Sequence, residues 1–233
     1  MEPKKSETHK TFVVLPNMDM GFITPDDLET IAALCRKFDV PATRVTGAQR
    51  LSLMGVSPEM LQELRRELDI PDKPPHARNR VHYVQACPGL NWCRYAIGDS
   101  RGVGDAIQRM ELDMPLPSKI KVGVSGCRMC CCESWVRDVG LVAQRGGWRF
   151  IFGGNAAGRP RIGDVVAEEL NDEQAVALVK KCLTFYCINA RFKTRSARFM
   201  ERFGLEQLKK GLFSENAEVN HAMPRSGQPL LER

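Results

Sequence analysis

Four of the chain's nine cysteines crowd into SGCRMCCCES, residues 125–134, and another pair stands in ACPGLNWCRYAIGDS, at Cys87 and Cys93. The runs that precede these groups, RVHYVQA and KIKVGVS, are β-rich, so each group occupies a loop that leaves a strand. Cys87 and Cys93 have C-x5-C spacing, and Cys127 and Cys131 have C-x3-C spacing. If these four thiols share one ligand, the fold must set two strand ends side by side. Clustered thiolates select soft metals, as a tetrahedral zinc ion or an iron–sulfur cube. Structural zinc sites use closer pairs than Cys87 and Cys93, whereas a cube tolerates the wider gap, and spacing alone does not choose between them. Cys35, Cys182 and Cys187 fall on apolar helical faces and are read as small buried hydrophobes.

Composition narrows the partners. At 233 residues, 43% hydrophobic and 27% charged, the chain has material for one compact domain or two small ones. A net charge of +6 favours anionic partners, yet there is no basic run and no basic–aromatic repeat, so no nucleic acid is expected. No stretch approaches the roughly 20 apolar residues of a membrane span, and MEPKKSETHK lacks an apolar leader core. A cytoplasmic location follows as the expectation, with thiols kept reduced and available to metal.

Punctuation divides the chain. TFVVLP reads as a strand; Thr24, Pro25, Asp26 and Asp27 open a helix whose apolar positions are Leu28, Ile31, Leu34, Cys35 and Phe38. ATRVTGAQRLSL reads as one further strand and SPEMLQELRREL as a second helix, after which Pro71, Pro74 and Pro75 mark a linker. Beyond the linker, DVGLVAQ and GWRFIFGG form a hairpin turning at Arg145 and Gly146, and Asn171 with Gln174 caps a long helix through Ala175, Val179 and Leu183. GVGDA at 102–106 is read as a turn, and residues 213–233 as a mobile tail. Trp92, Trp135 and Trp148 are expected in the core or in pocket walls. Of the four histidines only His82, near Cys87, stands out.

TGAQRLSLMGV, CPGLNWCRYAIGDS, KIKVGVSGC and DVGLVAQRGGWRFIFGGN together resemble the siroheme-dependent nitrite and sulfite reductases. The resemblance is strongest to the siroheme portion of the assimilatory NADH nitrite reductase large subunit and runs from about residue 11 to 212. It implies an α+β fold: a ferredoxin-like half-domain over 11–70, then a [4Fe-4S] and siroheme domain over 78–212. It also implies that Cys87, Cys93, Cys127 and Cys131 ligate the cluster, with Cys131 reaching the siroheme iron. Where the family reads Cys-Pro-x-Asn-Cys, this chain has Arg128 and Cys130, so Cys130 or Cys132 shifts the register by one or tunes the cluster from nearby.

Alternation in KIKVGVSGC puts Lys119, Lys121, Gly123 and Ser125 on one face, and Ile120, Val122 and Val124 on the other. By spacing alone two lysines on a strand favour a solvated edge; the resemblance reverses that and implies that Lys119 and Lys121 are the substrate-site lysines. Arg50, Arg94 and Arg128, with Arg44, Arg78 and Arg80, are candidates for the siroheme carboxylates. The implied activity is six-electron reduction of a small inorganic oxyanion, sulfite or nitrite, with electrons from a separate donor protein. A non-catalytic siroheme or iron–sulfur carrier and a structural zinc module are the alternatives. The chain has one copy of each unit where two-repeat sulfite reductases have two, so a twofold homodimer is expected, with Lys119 and Lys121 reaching the siroheme site of the other subunit. Val14 stands where the family carries an anion-holding Arg, and Val14→Arg is expected to strengthen anion binding.

Overall fold

The computed structural model describes residues 12–15, 18, 20–70 and 79–214. The expected linker prolines, Arg78, and the tail beyond Ser214 lie outside the described residues.

The first unit comprises β1 (Phe12–Val14), α1 (Pro25–Lys37), β2 (Ala42–Val45), β3 (Leu51–Met54) and α2 (Pro58–Glu67). Both helices begin where short polar side chains can cap them. Thr24 Oγ1 accepts the Asp27 N–H at 3.1 Å while Asp27 Oδ2 accepts the Thr24 N–H at 2.9 Å, and Ser57 caps α2. The stretch expected as a single strand is instead the hairpin β2–β3, both strands antiparallel. Its turn is set by Thr46 Oγ1, which accepts the N–H groups of Ala48 and Arg50, and by Gln49 at φ +56°. In the antiparallel sheet β1-β3-β2, Val13, Leu15, Leu51 and Leu53 bury against Leu34, Phe38 and Leu64 of the two helices. Leu28, expected on the buried face of α1, is exposed.

The second unit is a five-stranded sheet with four helices. In chain order it runs β4 (Tyr83–Ala86), α3 (Ser100–Arg109), β5 (Lys121–Ser125), β6 (Val139–Gln144), β7 (Gly147–Phe152), β8 (Asp164–Leu170), α4 (Asp172–Asn189), α5 (Ser196–Phe203) and α6 (Leu205–Phe213). Strand order follows the numbering; β4, β5 and β6 are parallel, and β6, β7 and β8 antiparallel. The β6–β7 hairpin turns at Arg145 and Gly146 as expected, with Gln144 opposite Gly147, and Asn171 and Gln174 cap α4 reciprocally. GVGDA is not a turn: it lies within α3, opened by Asp99, whose carboxylate accepts the Gly102 N–H at 3.0 Å. A Cβ on Gly104 would stand 2.9 Å from Met20 Sδ and 3.2 Å from Ala86 Cβ, so this glycine brings helix and sheet close rather than breaking the helix.

β4 is an edge strand, and two glutamines occupy its free side. Gln108 Oε1 accepts the Val84 N–H at 3.3 Å. Gln49 grips Ala86 twice, accepting its N–H and donating to its carbonyl, each at 3.1 Å. The second contact joins the two units, because Gln49 comes from the β2–β3 turn. Side-chain amides thus satisfy backbone groups that an uncovered edge would present for pairing.

Candidate metal and anion site

Parallel pairing of β4 with β5 sets their carboxyl ends side by side, which brings both cysteine loops to one place. Gly126 stitches them together: its carbonyl accepts the N–H of Ile97 at 2.8 Å and of Gly98 at 3.2 Å. Its own N–H donates to Cys87 Sγ at 3.1 Å, and Ser100 Oγ lies 3.2 Å from the same sulfur. The Ser100 hydroxyl donates to the Cys87 carbonyl at 3.0 Å, so it is the Gly126 N–H that supports this sulfur. There is no room for a side chain at Gly126, where a Cβ would lie 2.9 Å from the Gly98 carbonyl oxygen.

Cys87 and Cys127 are buried, Cys93 half-buried and Cys131 exposed. The Cys131 thiol is pushed up by partial desolvation and by the negative potential of Cys87, Cys127, Cys93 and Cys130, which places it within electrostatic reach of the whole set. Cys132 turns the other way, 2% exposed, with its N–H on Ser125 Oγ at 3.2 Å. Burial, with a smaller contribution from Cys87, Cys131 and Cys130, drives its thiol up to about 12. Cys130 sits at φ +54°, in the left-handed region. Among the described residues, no three His, Cys, Asp or Glu side chains converge tightly enough to clasp a single metal ion. Soft sulfur donors on two adjoining loops, with a backbone N–H on Cys87 Sγ, have the chemistry that an iron–sulfur cluster requires.

Cations gather at the opposite, amino end of the same two strands. The β5 strand begins at Lys121, and its alternation holds, Val122 and Val124 entering the core. Its other face is not an open polar surface. Ser125 Oγ lies 2.9 Å from Ser134 Oγ in the 3-10 turn Ser134–Val136, which covers Gly123 as well. Only the Lys119–Lys121 end stays accessible. There the His82 imidazole is held below its usual range, first by desolvation and then by Lys119, Arg50, Lys121 and Arg195. Arg137 donates to Tyr83 Oη at 3.1 Å, and Lys121 Nζ stands 5.9 Å from the Tyr83 ring centre. One carboxylate anchors this ring of charge: Asp138, 1% exposed, accepts the Lys121 N–H at 2.9 Å, the Arg195 guanidinium at 2.7 Å and the Ser196 hydroxyl.

Of the cations singled out in the sequence, Arg50, Lys119 and Lys121 come together. Arg94 and Arg128 stay in the cysteine loops, Arg94 stacked 4.6 Å from the Tyr95 ring and Arg128 exposed. Arg80 is paired with Glu111, and Arg44 is exposed on β2. Val14 lies opposite Ser52 on β1, as does Arg44 on β2, so it shares the helix-free face of the small sheet with that arginine. Trp148 is core and Trp135 half-buried beneath Arg149, but Trp92, expected in the core or a pocket wall, is 70% exposed against Phe22. Arg137, Asp138 and Arg195 were not singled out. Their role depends on contacts across 54 and 57 residues of chain, and no local spacing encodes such contacts.

Two family models match the chain: the nitrite/sulfite reductase ferredoxin-like half domain over residues 4–69, and the nitrite and sulphite reductase 4Fe-4S domain over 77–220. The chain is 42% identical over 202 residues to an assimilatory-type sulfite reductase of Nitratidesulfovibrio vulgaris, spanning 87% of this chain and 92% of that protein. It is 31% identical over 229 residues to the NADH nitrite reductase large subunit of Escherichia coli, of which it spans only 27%. Among solved structures it is similar to the Mycobacterium tuberculosis NirA protein, with TM-score 0.66 and 19% identity over 84% of this chain and 39% of that one. Dissimilatory sulfite reductase I matches with TM-score 0.69 and 14% identity over 95% of this chain and 73% of that one. These two likenesses establish the fold.

Proposed function

Since the chain belongs to the nitrite and sulfite reductase family and carries both its half domain and its 4Fe-4S domain, we propose that it is a siroheme- and [4Fe-4S]-dependent reductase of sulfite or nitrite. The observation that carries this reading is the parallel pairing of β4 with β5, whose carboxyl ends lead into the two cysteine loops and whose amino ends begin beside His82 and Lys121. When bound, the cluster and siroheme supply the electrons, drawn from a separate donor protein, and the iron at which the oxyanion is reduced.

The remaining work falls to the chain. Cys87, Cys93, Cys127 and Cys131 would hold the cluster, and Cys131 would serve the siroheme as well. Arg50, Arg94 and Arg128 meet siroheme carboxylates, for which guanidinium groups are suited. Lys119 and Lys121, at the end of the strands away from the cysteine loops, reach the siroheme site of the other subunit, where they bind the oxyanion and hold protons for the oxygens that leave as water. Asp138 sets their geometry, because it fixes the first N–H of β5 and the Arg195 guanidinium at once.

The decisive experiment is the absorption spectrum of the protein purified without oxygen, followed by turnover of each anion with a chemical electron donor. Soret and red bands with turnover are expected. A broad iron–sulfur shoulder alone, or a colourless protein, would overturn the reading. One observation favours the non-catalytic alternative: Val14 supplies no charge where the family carries an Arg. Siroheme bands without turnover on either anion would select that alternative.

A further inference from the structure

Building on this reading, we propose that His82 is an additional anion-binding residue of the site, taking up a proton from solvent as the oxyanion enters, so that anion and proton arrive together. Its main-chain N–H donates to the Ile120 carbonyl at 2.7 Å from a bend that precedes the first β4–β5 pair, Tyr83 and Lys121. The bend brings His82 beside the segment that carries Lys119 and Lys121. Its ring is 5.6 Å from that of Tyr83, the same ring that Lys121 Nζ approaches to 5.9 Å.

The surrounding charges come from every element packed there. Arg50 arrives from the β2–β3 turn, Lys119 and Lys121 from β5 and the residues before it, and Arg195 from the start of α5. Tyr83 follows on β4, with Arg137 on its hydroxyl, and Asp138 precedes β6. Two carboxylates contact this group: Asp138, whose oxygens are occupied by Arg195, Ser196 and the Lys121 N–H, and Glu133, which pairs with Arg137 at 2.7 Å. Desolvation, with the positive potential of Lys119, Arg50, Lys121 and the Asp138-paired Arg195, disfavours the imidazolium and lowers the ring's hold on a proton in the empty site. An oxyanion at the same place cancels part of that potential, and the ring then gains a proton and becomes a further donor to the anion. Reduction consumes protons along with electrons, so a proton delivered with each substrate serves the reaction.

The test is calorimetric titration of the purified holoprotein with nitrite, which does not itself titrate near neutrality, in buffers of different ionisation enthalpy around pH 6.5. Wild-type protein should take up as much as one proton per anion, and its affinity should weaken by up to about tenfold for each pH unit of rise through that window. His82→Gln should bind with no uptake and a flat pH profile. His82→Lys, a permanent cation, should bind more tightly than His82→Gln, again without uptake. The His82 side chain is solvent-facing and makes no hydrogen bond required by the core, and siroheme absorbance of each variant checks that the site is intact. Wild-type uptake persisting in His82→Gln, or siroheme bands with no uptake in the wild type, would overturn the role of His82 alone. Absence of both siroheme bands and nitrite binding in the wild type would overturn this proposal together with the function it rests on.

Discussion

Single residues carry the chemistry, and two predictions belong to them. Replacing Cys87, Cys93, Cys127 or Cys131 by Ser should abolish cluster iron, measured by iron content and low-temperature electron paramagnetic resonance. Cys182→Ser should retain it, because that thiol lies fully buried in α4 with its proton held on by burial. Retention of iron in Cys131→Ser together with its loss in Cys130→Ser or Cys132→Ser would move the ligand register by one. The sequence left that register open, and the iron content of these variants decides it. The second prediction follows from the depressed pKa of His82. The unfolded chain binds the imidazole proton first, so stability is lost as pH falls through the ordinary histidine value of 6.5. Denaturation midpoints of wild type and His82→Gln should coincide at pH 8 and diverge near pH 5, with the variant less acid-sensitive, and parallel curves would refute this.

At the scale of elements, close approach decided what local pattern could not. The helix caps at Thr24, Ser57 and Asn171 were legible because each acts within three residues of itself. The run 102–106 was misread because two glycines suggest a turn, whereas here Gly104 lets α3 press onto β4. The β2–β3 turn was read through as strand, since its reversal depends on the Thr46 hydroxyl and on Gln49 adopting a left-handed conformation. Gln49 matters beyond its turn. Gln49→Ala would leave the Ala86 N–H and carbonyl without their side-chain partners, at a cost of about 1–3 kcal/mol. Urea unfolding should show that loss, and anion affinity should fall with it, because Arg50 is delivered to the site by the same turn. Wild-type stability and affinity in Gln49→Ala would show that the clamp is incidental.

For the whole molecule, assembly is the open quantity. The chain holds one half domain and one 4Fe-4S domain, and spans 92% of its assimilatory-type relative, so both consist largely of a single copy of the unit. A twofold dimer is expected by light scattering, and a monomer retaining siroheme and turnover would refute it. Among the described residues, no helix is long and apolar enough to cross a membrane. The sequence by itself determined the thiol pairs, the alternation that makes Lys121 face away from the core, the helix starts and the β6–β7 hairpin. Each of these is a short-range property of backbone geometry and side-chain period, complete within a few residues. Only the tertiary structure decided which side of the cysteine loop is buried, which cations surround His82, and that Gln49 seals the β4 edge. Those outcomes depend on contacts between segments tens of residues apart, where packing and desolvation act on groups that the linear order does not bring together.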